Sequence, residues 1–218
     1  MATISDLTTT PLSGLNHIDA LHDIGPDWNY LTGNPANTIY YTFSISSGNE
    51  KDVTGQVAFS TVQQAAARSA FEYLKQVTGI QFVETSTGSS AQIHLANLNL
   101  AESNTTGLCS WESSYSYGAG NVVSSYSANA YVYLDNVEWA AQNGNLVPGT
   151  EGYQTLLHEL GHALGLGHPF HEDGEEGGHV HLPAGQDNTG NTIMSYTDSG
   201  GPYSTFSAYD IAALNWLY

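Results

Sequence analysis

The string His158-Glu159-Leu160-Gly161-His162-Ala163-Leu164-Gly165-Leu166-Gly167-His168 constrains this chain more than any other stretch. Residues four apart on a helix share a face, so His158 and His162 can present two imidazoles to one cation. Glu159, one residue on, can reach a water held there. Two ligands do not make a stable tetrahedral site. Gly165 can take a positive φ at little cost, so the helix can stop there and the chain reverse to deliver His168 as a third ligand. The fourth position is left to water, as at a catalytic zinc, whereas structural zinc is usually closed by four protein ligands, often cysteines. Cys109 is the single cysteine, so the structural reading lacks ligands and no internal disulfide can form. Two histidines and a glutamate at this spacing arise often enough by chance; agreement at all five positions of H-E-x-x-H-x-x-G-x-x-H does not.

The remaining sequence must frame that site. With 218 residues, 40% hydrophobic and 11% charged, the chain can bury a full core as one compact domain in two lobes. Against 21 acidic residues stand 3 basic ones, Lys51, Arg68 and Lys75. Such a surface repels phosphate backbones and anionic headgroups, which argues against nucleic-acid and membrane partners and favours cationic substrates. No apolar run approaches the roughly 20 residues that span a bilayer, and MATISDLTTTPLSG has neither the basic nor the apolar region of an N-terminal export signal.

Along the chain, residues 1–35 are polar and turn-rich and read as a leader or pro-like segment wrapping the surface. TIYYTFSI (38–45), IQFVET (80–85), AQIHLA (91–96) and AYVYLDN (130–136) alternate as strands do, with the second and third expected to be neighbours. The Ser, Tyr and Gly-rich stretch 97–129 is expected to hold one edge strand near Leu108–Trp111. Ser60–Val77 carries a helical stripe, a Ser60/Gln63 capping box and Gly79 as its stop. Further helices are expected over Gly152–Leu164 and Ala208–Leu217, the last with a Ser207/Asp210 capping box.

Together with Pro169, with Ile193-Met194-Ser195-Tyr196 after Asn191 and Thr192, and with YDIAALNWLY at 209–218, the three-histidine string resembles the metzincin metallopeptidases, and among them the serralysins. The resemblance follows element order from about residue 28 to 218 and is specific in 153–170, 191–196 and 207–218. It implies an α+β fold: a twisted five-stranded, mostly parallel sheet with an antiparallel edge strand, two long helices, and a lower lobe with a methionine turn and a C-terminal helix. The catalytic domain would be 36–218, its upper lobe about 36–165 and its lower lobe about 166–218. His158, His162 and His168 would bind Zn2+, Glu159 would be the general base, and Gly165 and Met194 would support the ligands. Tyr196 would be a further zinc ligand that swings to stabilise the transition state. The implied protein is a secreted, monomeric endopeptidase hydrolysing peptide bonds through a metal-activated water, with polypeptide substrates and a protein inhibitor as candidate partners. Residues 197–206 would wall the pocket for the side chain after the cut.

Serralysins continue into a calcium-binding glycine-rich repeat domain; this sequence has no such repeats and is expected to be a minimal form or a fragment. The loop 171–190 offers Glu172, Asp173, Glu175 and Glu176 as calcium ligands and His179 with His181 for a second metal, against the plainer reading of a solvated loop. His17, His22 and His94 stand alone and read as packed or surface residues, and Cys109 as a small buried hydrophobe. Two alternatives remain beside the active enzyme. One is a latent form whose N-terminal residues occupy the cleft, with Asp6, His17 or Asp23 as latch. The other is a metal-bound recognition module, which would have no use for Glu159.

Overall fold

The longest helix, α3, follows the local rules closely. In the computed structural model, which describes residues 2–9, 11–23, 25–101, 104–170 and 179–218, it spans Thr61–Thr78. Ser60 accepts from Gln63 N, Gln63 Oε1 accepts from Ser60 N, and Gly79 ends the helix at φ 76°. Its buried stripe, Ala66, Ala67, Ala70, Phe71 and Leu74, is small at one end and large at the other, so α3 lies close against the sheet.

That sheet is built from β1 (Thr38–Thr42), β2 (Val57–Ala58), β3 (Gln81–Glu84), β4 (Ile93–Leu98), β5 (Gly107–Tyr117) and β6 (Val123–Asp135). Its order is β3-β1-β4-β6-β5, with β2 attached to β4. The β1/β3, β1/β4 and β4/β6 pairs are parallel, while β5/β6 and β2/β4 are antiparallel. Central strands covered on both faces are buried almost throughout, as β4 and the second half of β6 are. One face packs Ile39, Tyr41, Ile93, Leu95, Val132 and Leu134 against the helices; the other holds a smaller cluster of Ala96, Leu100, Tyr131 and Tyr133.

The sheet is mostly parallel with an antiparallel edge, as expected, and it differs in three details. β3 and β4 are not neighbours: β1 lies between them, because a strand, the helix α3 and a parallel strand close as a crossover, and β4 then takes the other side of β1. β2 adds a sixth, two-residue strand, pairing Val57 with Asn97 and Ala58 with Ala96 beyond the point where β1 leaves β4. The edge strand is 11 residues long rather than four, because its Ser/Tyr alternation pairs along most of β6.

Two short helices, α1 (Ile4–Thr8) and α2 (Asn16–Asp19), open the chain, α4 (Ala140–Asn143) follows β6, and α5 (Glu151–Ala163) and α6 (Ala208–Leu217) complete it. The N-terminal segment, expected to wrap the surface, sends Ile18, Leu21 and Trp28 into the core, and Trp28 Nε1 donates to Ala163 O at 2.8 Å. Between α5 and α6 the described lower lobe is irregular, with Leu182, Ile193, Met194 and Phe206 buried.

Candidate metal centre and cleft

α5 packs Leu156, Leu157 and Leu160 fully into the core, which turns His158 and His162 to the opposite, cleft-facing side. The helix runs out at Leu164, and Gly165 takes φ 91° while Leu166 N returns to Gly161 O at 2.9 Å. A Cβ at that φ would be strained, so glycine is what lets the chain turn under its own helix. The reversed segment is clamped by N-terminal backbone: Asp23 N donates to Gly165 O at 3.1 Å and Gly167 N donates to Leu21 O at 2.8 Å. His168 thereby arrives beside the helix.

The three imidazoles converge on their Nε2 atoms. The separations are 3.1 Å for His162–His158, 3.1 Å for His162–His168 and 3.2 Å for His158–His168. A carbonyl only accepts, so the 2.8 Å contacts of His158 Nδ1 with Ile193 O and of His162 Nδ1 with Leu166 O put the proton on Nδ1 and leave a lone pair on each Nε2. Burial pushes His158 down to about 4 and His162 well below the ordinary value, which keeps both rings neutral. Converging lone pairs repel unless a cation joins them. Ligand nitrogens 2.0–2.1 Å from a tetrahedral zinc lie roughly 3.3–3.4 Å apart, close to the separations seen, so the residues fit zinc. Among the described residues the cluster able to hold a metal consists of these three histidines.

Glu159 is 5% exposed, and burial raises its carboxyl to about 8. The start of β5 makes room for it. A Cβ placed on Gly107 would lie 2.7 Å from Glu159 Oε1 and 2.8 Å from Thr155 Cγ2. Gly107 is not among the residues expected at the site; its one signal in the sequence is a glycine opening a strand, where close approach by another group is a standard reason for glycine. Two cavities flank the triad and share Thr105, Gly107, His158, Glu159 and Tyr196. One, of about 780 Å³, is walled by Gln154, Thr155, Asp198, Gly201 and Pro202, and the other, of about 680 Å³, by Asp23, Leu108, Cys109, Trp111, Phe170 and Val180.

A profile of the Metallo-peptidase family M12 matches residues 32–207. The chain belongs to metallo-peptidase family M12. It is 29% identical over 219 residues to "Metallopeptidase AprA" of Pseudomonas marginalis, covering 89% of this chain and 42% of that protein. It is 25% identical to "Serralysin" of Proteus mirabilis, covering 88% and 42%, and 29% identical to "Serralysin G" of Dickeya chrysanthemi, covering 84% and 39%. The chain thus spans about two fifths of the length of the curated relatives it matches, and within them it corresponds to a serralysin-like metzincin catalytic domain.

In this M12 chain Met194 is fully buried against α5, and a Cβ on Gly161 would meet its Sδ at 2.8 Å, so the glycine within the helix admits the methionine. Tyr196 is 70% exposed, its ring centred 4.6 Å from that of His168 and 5.9 Å from that of His158. Asp210 ties the segment down. Its carboxylate accepts from Thr192 Oγ1, from Ile193 N at 2.9 Å and from Ser207 N at 2.8 Å, while Met194 N donates to Thr192 Oγ1 at 3.1 Å. From sequence alone Asp210 is expected only as a helix cap.

Of the candidate latches, Asp6 caps its own helix at Thr3, His17 packs on Tyr209 at 5.0 Å, and Asp23 lies in the cleft wall; none joins the three histidines. His94 is buried and stacks on Tyr131 at 4.9 Å. Glu172, Asp173, Glu175 and Glu176, the candidate calcium ligands, fall outside the described residues. His179 lies in the cleft wall, and neither it nor His181 belongs to a metal-competent group among the described residues.

Proposed function

We propose that this chain is a zinc-dependent endopeptidase domain acting on polypeptides outside the cell. The observation that carries the reading is the convergence of three imidazole Nε2 atoms at 3.1–3.2 Å, those of His158 and His162 left unprotonated by their Nδ1 contacts, beside a buried carboxyl group. His158, His162 and His168 hold the metal, and Ile193 O and Leu166 O orient the first two rings. When bound, zinc supplies Lewis acidity to the scissile carbonyl and lowers the pKa of water from 15.7 to about 7.

Glu159 takes the proton of the attacking water and returns it to the leaving amine. Its burial shields the carboxyl group from bulk water, and the charge of a bound zinc would favour the ionised form that accepts the proton. Tyr196 donates its hydroxyl proton in a hydrogen bond to the developing oxyanion, in addition to serving as a further metal ligand in the resting enzyme. Met194 and the Thr192–Asp210 contacts act as the methionine turn, a floor that fixes His158 through Ile193 O. The cavity at Gly201–Pro202 receives the side chain after the cut, and the edge of β5 pairs with the extended substrate backbone. Secretion is proposed by analogy with the serralysin relatives.

Casein and an internally quenched peptide test the reading. The wild-type chain should cleave both, a zinc chelator should stop cleavage and added zinc should restore it. Glu159→Gln should retain stoichiometric zinc and lose roughly 100-fold to 10,000-fold in turnover. Cleavage that survives zinc removal, or full turnover by Glu159→Gln, would overturn the proposal.

A further inference from the structure

The hairpin that opens beside Glu159 runs well past it. β4 backs β6 only over Ala130–Asp135, so Glu112–Tyr117 and the facing part of β6 form a two-stranded ribbon. The β6 side of this ribbon is anchored. Val123 N donates to Ala2 O at 2.9 Å, Thr32 N and Oγ1 donate to Tyr126 O at 3.1 and 2.9 Å, and Asp27 N donates to Tyr126 Oη at 2.8 Å. The β5 side is a terminal edge of the sheet among the described residues. Soluble proteins normally blunt such edges by shortness, lysine, proline or a covering element. Gly107–Tyr117 is 11 residues long and contains no lysine, arginine or proline.

Side-chain alternation places Cys109, Trp111, Tyr115 and Tyr117 on the same face as Gly107, the face turned to Glu159. Val132, Ala130 and Tyr126, the register partners of Cys109, Trp111 and Tyr115, are buried, and Tyr117 faces the half-buried Val123 across a bulge, whereas Trp111, Tyr115 and Tyr117 are 39%, 41% and 56% exposed. The Tyr115 and Tyr117 rings lie 6.3 Å apart. From Trp111, which lines the cleft, the row reaches six residues, or roughly 20 Å, away from the triad.

We propose that this aromatic edge is a second recognition surface, which takes an extended, neutral or cationic stretch of the substrate polypeptide on the amino side of the scissile bond. The proposal rests on the peptidase reading above. Continuity selects the occupant, since the same strand edge passes from the triad through the Trp111 wall to Tyr117. Direction follows from antiparallel addition, the slightly more stable pairing, which sets the partner's amino end at Tyr117 and its carboxyl end at Gly107. Charge disfavours a second copy, because each chain carries a net charge of −18. Main-chain pairing along the edge tolerates many sequences, and the three aromatic rings add contact at the alternate side chains that face them.

The test reads binding, not turnover. Fluorescein-labelled casein-derived peptides with three or ten residues on the amino side of a common core are titrated against zinc-loaded Glu159→Gln protein and followed by anisotropy. The longer peptide should bind roughly tenfold more tightly, and Tyr115→Ser with Tyr117→Ser should remove that gain and leave the shorter peptide's Kd unchanged. Equal affinity for the two lengths, a gain that survives both substitutions, or a gain only from carboxyl-side extension would each overturn the inference. So would a wild-type dimer in sedimentation that those substitutions dissociate. The peptidase reading fails separately, if the wild-type chain cleaves neither peptide.

Discussion

At the residue scale, the site depends on side chains that are missing as much as on those present. Gly107 leaves the volume in which Glu159 sits, with an added Cβ only 2.7 Å from Oε1. Gly107→Ala should therefore displace the carboxyl group proposed to carry the proton and leave the histidines in place. The expected result is full zinc content with kcat/KM reduced roughly 100-fold, the scale of a misplacement of about 1 Å. Unchanged kinetics would show that Glu159 does not work from the position seen. Tyr196 poses a different question, because its ring lies beside His168 and His158 but is 70% exposed. If its hydroxyl acts mainly on the oxyanion, Tyr196→Phe should lower kcat roughly 10-fold to 1,000-fold with little change in KM and no loss of zinc. A ring that only packs would leave kcat intact, and zinc loss in proportion to activity would make Tyr196 chiefly a ligand.

At the element scale, α5, its glycine stop and the segment 192–196 act through one another, and Asp210 joins them from α6. Its carboxyl is fully buried, and burial, opposed by bonds from Thr192, Ile193 and Ser207, raises it to about 6. The folded pKa lies above the value of 3.8 for the unfolded chain, so the stabilisation is complete below about pH 4 and is lost as pH rises through about 6. Urea unfolding of the metal-free protein should show wild type losing roughly 2–3 kcal/mol relative to Asp210→Asn over that window. A pH-independent difference would mean that Asp210 does not titrate there. What was legible in the sequence follows the same division. Capping boxes, the Gly165 stop and the histidine spacing are local, and α3, α5 and α6 fall within about a residue of their expected limits. The neighbours of β1, the length of β5, and the meetings of Gly107 with Glu159 and Asp210 with Thr192 join residues far apart in sequence, and no local pattern encodes them.

At the scale of the whole molecule, the question is whether metal is needed for the fold or only completes it. In small zinc domains the ligands are most of the core, and removing metal unfolds the chain. Here the core gathers Ile39, Phe71, Ile93, Leu95, Val132, Leu156, Leu160 and their neighbours away from the histidines. The segment that delivers His168 is held independently, by Gly167 N on Leu21 O and Asp23 N on Gly165 O. Metal therefore links pieces that are already docked, and its contribution is a mass-action one, about 4 kcal/mol when free zinc stands at 1,000 times its Kd. In a chain of 218 residues each kcal/mol moves Tm by about 2–4 °C, so chelation should lower Tm by roughly 8–16 °C while the far-UV circular dichroism at 25 °C stays unchanged. Restored zinc should return both Tm and peptidase activity. A chain that loses its secondary structure on chelation at 25 °C would show that the three histidines, rather than the sheet and α3, hold the two lobes together.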